Sequence, residues 1–398
     1  MLDPVVFELC KDLEKISKSK KKKPRILFFG RETFSDNSKY LYLHMIKNYP
    51  NIEVVWCSCH ASLIKLLQEN NLPCFNLSKD LKLSAQFIIE SAVSVFCINP
   101  LDAVNANLVL LACLSGAISI QLWHGIGVKK IDLATTSFRD MTNLSITKSI
   151  GGAISAKYYL SPSSFVDEKW MEFFGARHFI RSSYPRNEVL LRDATDFELL
   201  GAELEPDIYH QLYNVTNKKI LLAPTWMENS GLNDIKVLTS IIIFCRENNI
   251  TVFIKKHPFV KEDSVARKNI DGVSFIPSQI DIYPHMKYFD AVVTDYSSII
   301  FDYLLTGKPI LTVGMDKGTD FDYTLIPGGD SFRYIFNHEN VADVFRHALF
   351  DDDQQDARQK VRDLIFESDD GKANSSIAEK IIHIYDVETA QKHQIEIF

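Results

Sequence analysis

At 398 residues the chain is too long for one ordinary core and points to two domains of about 150–200 residues each. Hydrophobic residues make up 46% and charged residues 24%, a globular composition that excludes a disordered or fibrous chain. A net charge of -7 and a pI near 5.9 argue against a nucleic-acid partner, which requires a basic face for phosphates.

The N-terminal segment MLDPVVFELCKDLEK lacks the basic-then-apolar order of a secretory signal, so a cytoplasmic location is expected. Residues 1–24 predict a helix ending in a basic linker with Lys18, Lys20, Lys21, Lys22 and Lys23. Such a run is ordinarily a solvated linker. Its sharper reading is weak contact with an anionic membrane surface at the inner face, at about 1 kcal/mol per basic residue.

The seven cysteines include no CxxC pair and no Cys/His cluster with zinc spacing, so buried free thiols, no metal and no cofactor are expected. Ala103 to Trp123 runs 21 residues without a charge. Its asparagines and the Ser115-Gly116 break predict a buried helix over 104–114 and a strand over 117–123 rather than a membrane span.

After Pro24, short β-branched runs alternate with amphipathic segments such as 38–48 and 61–70. The runs 25–30, 52–58, 93–99, 117–123 and 157–162 predict strands of a parallel sheet covered by helices. The pattern restarts with 218–226, 250–256, 273–277, 290–297 and 308–314. The α/β architecture expected is therefore two Rossmann-like lobes with parallel sheets facing a cleft. Ligands would lie beyond the carboxyl ends of the strands. The boundaries expected are 25–183 for an acceptor-side lobe and 184–372 for a donor-nucleotide lobe. A last helix within 373–398 is set to pack back on the first lobe.

Chemistry-bearing residues stand at strand ends. Asp295-Tyr296-Ser297-Ser298 follows the run AVVT and opens a helical stretch, so free N–H groups and the two serine hydroxyls suit a pyrophosphate; simple N-capping is the competing reading. Asp302, one turn further, is placed for ribose hydroxyls or for a solvated helix surface. His124 closes the strand ISIQL beside Gly125, Lys129 and Lys130. Glycine permits close backbone approach, lysine brings charge, and imidazole can deprotonate a hydroxyl. His257-Pro258 ends the strand ITVFIKK, where the ring would donate to phosphate oxygens. Pro224-Thr225-Trp226 ends the strand KILLA, with the indole set either to stack on a base or to close the core.

In that order, QLWHGIGVKKI, SYPRNE, LLAPTW, KKHP and DYSSIIFDYLLTGKPIL resemble the signature of the CDP-glycerol glycerophosphotransferases, the teichoic-acid primases and polymerases and related capsule polymerases. FSDNSKYLY, with Asp36 and Asn37, is similar to the family's loop after strand one. The resemblance spans about residues 25–320 and implies a GT-B fold. It also implies in-line transfer of a polyol phosphate from CDP-glycerol or a related CDP-polyol to a polymer or lipid-linked acceptor. By position it implies His124 as the base and His257, Ser297, Ser298 and Arg186 on the donor's phosphates. Asp302, Pro224 and Thr225 would then lie at the nucleotide, with Asp36, Asn37, Gly125, Lys129 and Lys130 on the acceptor side.

After the GKP strand the chain reads MDKGTDFDYTLIPGGDSF instead of the family's arginine-glycine element, which leaves glycerol or ribitol open. The competing readings are a GT-B glycosyltransferase using a CMP- or UDP-sugar, a UDP-sugar 2-epimerase and a nucleotide-sensing module.

Overall fold

The computed structural model describes residues 4–126, 156–224, 231–255, 272–295, 297–313, 328–367 and 371–395. Two compact units divide the chain. One is drawn from the stretches through His124, up to Glu188 and from Phe366 onward; the other takes in Gly125 and Ile126 and the stretch from Val189 to Ile365. The chain thus changes unit after Glu188 and returns at Phe366, whereas the sequence put the changes after residues 183 and 372.

The first unit holds a seven-stranded sheet in the order β3-β2-β1-β4-β5-β6-β7. Its strands are β1 (Lys23–Phe29), β2 (Glu53–Ser58), β3 (Cys74–Asn76), β4 (Ser91–Phe96), β5 (Ile118–Gln121), β6 (Tyr158–Ser161) and β7 (Phe179–Arg181). The second unit holds a six-stranded sheet in the order β10-β9-β8-β11-β12-β13. These are β8 (Lys219–Ala223), β9 (Thr251–Lys255), β10 (Val273–Ile276), β11 (Ala291–Thr294), β12 (Ile310–Val313) and β13 (Tyr334–Phe336). Every pairing is parallel. The central strands β4, β11 and β12 are buried along their whole length, as near-continuous apolar runs with helices on both faces must be. Strand order reverses between β1 and β4 in one sheet and between β8 and β11 in the other, and such reversals open a crevice at the carboxyl edge.

Three strands were not foreseen, β3, β7 and β13. Each is three residues long and lies at a sheet edge, too short to leave an apolar run. The helix expected over 104–114 starts later, as Leu108–Cys113, and a separate one-turn helix, Pro100–Ala103, precedes it. Asn105 and Ala106 between them turn left-handed, at φ 52 and 56, and Asn107 caps the second helix by accepting from the Val109 and Leu110 N–H groups. Among the described residues no helix is long and apolar enough to cross a membrane.

The N-terminal helix Pro4–Ser19 packs on Leu108–Cys113 and the 3-10 turn Leu114–Gly116. Ser17 Oγ donates to the Cys113 carbonyl at 2.6 Å and accepts from the Gly116 N–H at 3.0 Å. The basic run is largely committed. Lys18 pairs with Glu14, Lys22 Nζ donates to the Ile89 carbonyl at 2.6 Å, and Lys23 opens β1 and pairs with Glu90 at 2.6 Å. Lys20 and Lys21 are exposed and have no such tie among the described residues. The C-terminal helix Ala373–Ile395 belongs to the first unit, where Asn374 Nδ2 donates to the Pro185 carbonyl at 3.1 Å and the Asn374 N–H to Glu188 at 2.6 Å.

Candidate active site

At the reversal of the first sheet, the ends of β1, β4 and β5 converge. β1 runs out through Gly30, where a Cβ would meet the Trp56 ring at 2.6 Å, so only glycine lets the chain leave the sheet so close to that indole. Arg31 follows, and then the loop into the helix Asp36–Asn48. β5 ends at Gln121, whose side chain accepts from the Trp123 N–H at 3.0 Å and donates to the Ile98 carbonyl at 2.9 Å. This brace holds Trp123 at φ 56, a left-handed conformation that costs a non-glycine residue about 1–3 kcal/mol. Gly125, at φ 126, completes the turn.

His124 sits between them. Its ring stacks on Trp123, with centroids 4.2 Å apart, and its Nδ1 lies 3.0 Å from the Cys97 carbonyl at the end of β4. A carbonyl only accepts, so Nδ1 carries the proton and Nε2 presents the lone pair. Burial first, and then the Arg31 guanidinium, push the ring's pKa down to about 3, against the Asp36 carboxylate and the Cys97 carbonyl. The ring is therefore neutral near pH 7, the state a general base requires. The Cys97 thiol takes no part; burial pushes it up to about 12.

Both carbonyls of the turn are clamped. Asn37 Nδ2 donates to the Trp123 carbonyl at 2.8 Å, and Arg186 Nη2 donates to the His124 carbonyl at 2.9 Å. Arg186 Nη1 meets Asp36 Oδ1 at 2.7 Å, and its backbone N–H donates to Asn37 Oδ1 at 3.3 Å. Arg31 Nε takes the other Asp36 oxygen at 3.1 Å. Burial raises the Asp36 carboxyl, but Arg186, Arg31, His124 and the Asn37 N–H together hold it below the ordinary carboxylate range.

Arg186, expected on the donor's phosphates, is 3% exposed and commits both Nη atoms inside this cluster. It braces the His124 turn from the 3-10 turn Pro185–Asn187, whose Pro185 carbonyl accepts from Asn374 Nδ2. Asp36 and Asn37, expected near an acceptor, are likewise buried at 6% and 0% and act on the turn. Sequence reasoning missed Arg31 and the Cys97 carbonyl. A charged residue directly after the apolar run of β1 was the available signal for the first; nothing in sequence marks a backbone carbonyl.

In the second unit, Pro224 and Ser297 follow β8 and β11 at the other reversal, and Thr294 Oγ1 joins the two strand ends by donating to the Ala223 carbonyl at 2.6 Å. Ser297 Oγ accepts from the Ile299 N–H at 3.4 Å, while Ser298 makes no side-chain cap. The helical stretch expected here is a five-residue helix, Ile299–Tyr303, followed by the 3-10 turn Leu304–Thr306 and ended by Gly307 at φ 69. Asp302 is not on a solvated surface: it is 1% exposed and accepts from Tyr283 Oη at 2.7 Å. At the end of β9, Lys255 Nζ donates to the Ser278 and Pro277 carbonyls at 2.8 and 3.2 Å. Burial brings its pKa down to about 8, against Asp281. Thr225, Lys129, Lys130 and His257 lie outside the described residues, as do Trp226 and Tyr296.

The profile of the family described as CDP-Glycerol:Poly(glycerophosphate) glycerophosphotransferase matches residues 13–383. The teichoic acid poly(glycerol phosphate) polymerase of Staphylococcus epidermidis is 24% identical over 295 residues, covering 71% of this chain and 38% of that protein. The teichoic acid glycerol-phosphate transferase of Staphylococcus aureus is 22% identical over 308 residues, 73% of this chain and 72% of that protein. The chain spans between about two fifths and half of the length of the first polymerases it matches. A solved structure of the wall teichoic acid polymerase TagF superposes with a TM-score of 0.65 at 20% identity, over 96% of each chain. The α/β fold is of the GT-B type.

Proposed function

Because this chain belongs to the family of CDP-glycerol:poly(glycerophosphate) glycerophosphotransferases, we propose that it moves a polyol phosphate, glycerol phosphate in the first instance, from a CDP-activated donor to a hydroxyl of a cell-surface polymer or lipid-linked acceptor. The observation that carries this reading is the neutral His124, its Nδ1 proton fixed on the Cys97 carbonyl and its Nε2 left as a base at the sheet's reversal point. Nε2 takes the proton of the acceptor hydroxyl. The hydroxyl oxygen bonds to the phosphorus that bears the glycerol, the bond from that phosphorus to the bridging oxygen breaks, and CMP leaves with the bridging oxygen and its electron pair. Ser297 and Ser298, with the N–H groups that follow them, supply donors for the pyrophosphate in the second unit. His257 is assigned to the departing phosphate on the resemblance alone. The work takes place at the cytoplasmic face of the membrane, where a CDP-polyol and a lipid-linked acceptor are both present.

Positioning and charge stabilisation carry most of the rate in such transfers, and general-base help contributes about 10²–10⁴-fold. The test is CMP release with CDP-glycerol and, separately, CDP-ribitol, with the products weighed by mass spectrometry. His124→Ala is expected to lose about 10²–10⁴-fold in kcat while keeping its donor affinity. Wild-type-like turnover in that variant, or nucleotide release from a CMP- or UDP-sugar instead, overturns the proposal.

A further inference from the structure

Within a strand, consecutive carbonyls point to opposite neighbours. Past the end of β4 this alternation stops. The carbonyls of Phe96, Cys97 and Ile98 all turn to the exit of β5, accepting from the Leu122 N–H at 2.7 Å, from His124 Nδ1 at 3.0 Å and from Gln121 Nε2 at 2.9 Å. The first is a ladder bond between backbones. The second holds the imidazole, and the third comes from a side chain that is 4% exposed. Gln121, the last residue of β5, does here what a peptide unit does inside the sheet. Its amide N–H reaches across to the continuation of β4, and its amide oxygen takes the Trp123 N–H at 3.0 Å. A donor and an acceptor in one planar group are both used, because Trp123 has turned left-handed and spends its N–H on Gln121 rather than on β4.

The consequence falls on the imidazole. Neutral histidine in water prefers its proton on Nε2, and a base that works through Nε2 needs the other tautomer. The Cys97 carbonyl imposes that tautomer on His124, since a carbonyl only accepts. Its direction is set by the bonds on either side of it, at Phe96 and at Ile98. The bond at Phe96 is made by backbone and no substitution removes it. The bond at Ile98 belongs to the side chain of Gln121.

We propose that Gln121 is a positioning residue for the transfer, fixing the Cys97 carbonyl and through it the Nδ1–H tautomer of His124. This rests on the transfer reading above and adds to it that the base's tautomer is selected by a residue sharing no hydrogen bond with the imidazole itself.

The experiment uses the full chain as wild type, Gln121→Met and Gln121→Asn. Methionine keeps the length and loses both hydrogen bonds; asparagine keeps the amide and loses the reach. Protein labelled with 15N-histidine gives the His124 ring-nitrogen shifts at neutral pH, assigned by their absence in His124→Ala. Steady-state CMP release gives kcat and KM. In the wild type the proton is expected on Nδ1. Both variants are expected to move part of the His124 population to the Nε2–H tautomer and to lose about 10–100-fold in kcat, the range for a displaced base. KM for CDP-glycerol should stay within about twofold. The wild-type tautomer in Gln121→Met overturns the assignment whether or not kcat falls, and so does a shifted tautomer at full kcat. A wild-type proton on Nε2 overturns it outright. If the wild type releases no CMP from CDP-glycerol, the transfer reading fails instead, and the ring nitrogens still report whether Gln121 sets the tautomer. Should Gln121→Met not fold, Gln121→Asn carries the same comparison.

Discussion

The side-chain amide of Asn37 donates to the carbonyl of Trp123 across 2.8 Å, tying the start of the helix Asp36–Asn48 to a turn 86 residues further along the chain. The same amide's oxygen accepts the Arg186 N–H at 3.3 Å, so one buried side chain sets the spacing of three segments around His124. Asn37→Asp keeps the shape and loses the donor, leaving a carboxylate oxygen against a carbonyl. The turn should shift, and a displacement of about 1 Å in a catalytic group can cost about 10²-fold in rate. A fall in kcat of that order, with KM for CDP-glycerol unchanged, is expected in steady-state assays of CMP release; unchanged kcat would show that the clamp does not position the base.

His124 should show no titration in its ordinary range. With its pKa down at about 3, its ring protons should keep the chemical shift of neutral imidazole from pH 8 to about pH 5 in NMR spectra of the free protein. The sign for stability follows. The unfolded chain binds a proton near pH 6.5 and the folded one near 3, so stability contributed by His124 is present above about 6.5 and is lost as pH falls toward 3. A mid-point near 6.5 for this ring would remove the neutral base from the account.

Asp36 works in the same direction at lower pH. Its folded pKa is depressed, so its contribution is present above the ordinary carboxylate range and lost as pH falls through the folded value. Asp36→Asn takes one carboxylate charge away from the buried Arg186 guanidinium, and breaking a buried ion pair typically costs about 3–5 kcal/mol. Denaturant melts at pH 7 should show a loss of this order. The gap between variant and wild type should narrow at acid pH, where the wild-type carboxylate is itself protonated. A gap that stays constant with pH would mean that charge is not what Asp36 contributes.

The sequence made the sheet strands legible because each central strand is an apolar run buried on both faces, and made His124 legible because it follows one such run into a glycine turn. The burial of Asp302 and Arg186 was hidden for a shared reason. A charged residue near a strand end or on a short helix reads as facing ligand, whereas burial depends on partners far away in the chain: Tyr283 for Asp302, and Asp36, 150 residues upstream, for Arg186. The break at Asn105 and Ala106 was hidden because residues of modest helix propensity continue an uncharged stretch, and only the caps at Asn99 and Asn107 reveal two helices. The lysine run looked free because its acceptors, Glu90 and the Ile89 carbonyl, belong to the end of another helix.

Tyr283→Phe tests whether Asp302 is a support for the second unit. The hydroxyl donates to a carboxylate that is 1% exposed, and removing a hydrogen bond to a charged group costs about 1.5–3 kcal/mol. The melting temperature should drop accordingly, with the affinity for CDP within about threefold of wild type by calorimetry. A large loss of CDP affinity without loss of stability would restore Asp302 to direct contact with the ribose.

Gly116→Ala tests the dock of the N-terminal helix. Gly116 gives its N–H to Ser17 Oγ, and an added Cβ would lie 2.0 Å from the Ser17 carbonyl oxygen and 2.3 Å from its carbon. Those atoms are backbone, so the clash cannot be relieved by a side-chain rotation; the end of the helix must move away from the turn Leu114–Gly116. Overpacking of this kind costs about 1–3 kcal/mol. The displaced helix also gives up the bond from Ser17 to the Cys113 carbonyl and the cover that Cys10 receives, and Lys22 loses the Ser17 hydroxyl as an acceptor. Gly116→Ala should therefore lower the melting temperature and speed amide exchange in the segment Pro4–Ser19, while kcat for CMP release is retained because the helix docks on Leu108–Cys113 and Leu114–Gly116 and not on the polar cluster of Asp36, Asn37 and Arg186 that clamps His124. Exchange in that segment at the wild-type rate would show that the turn yields instead and that the helix is held by its apolar face alone.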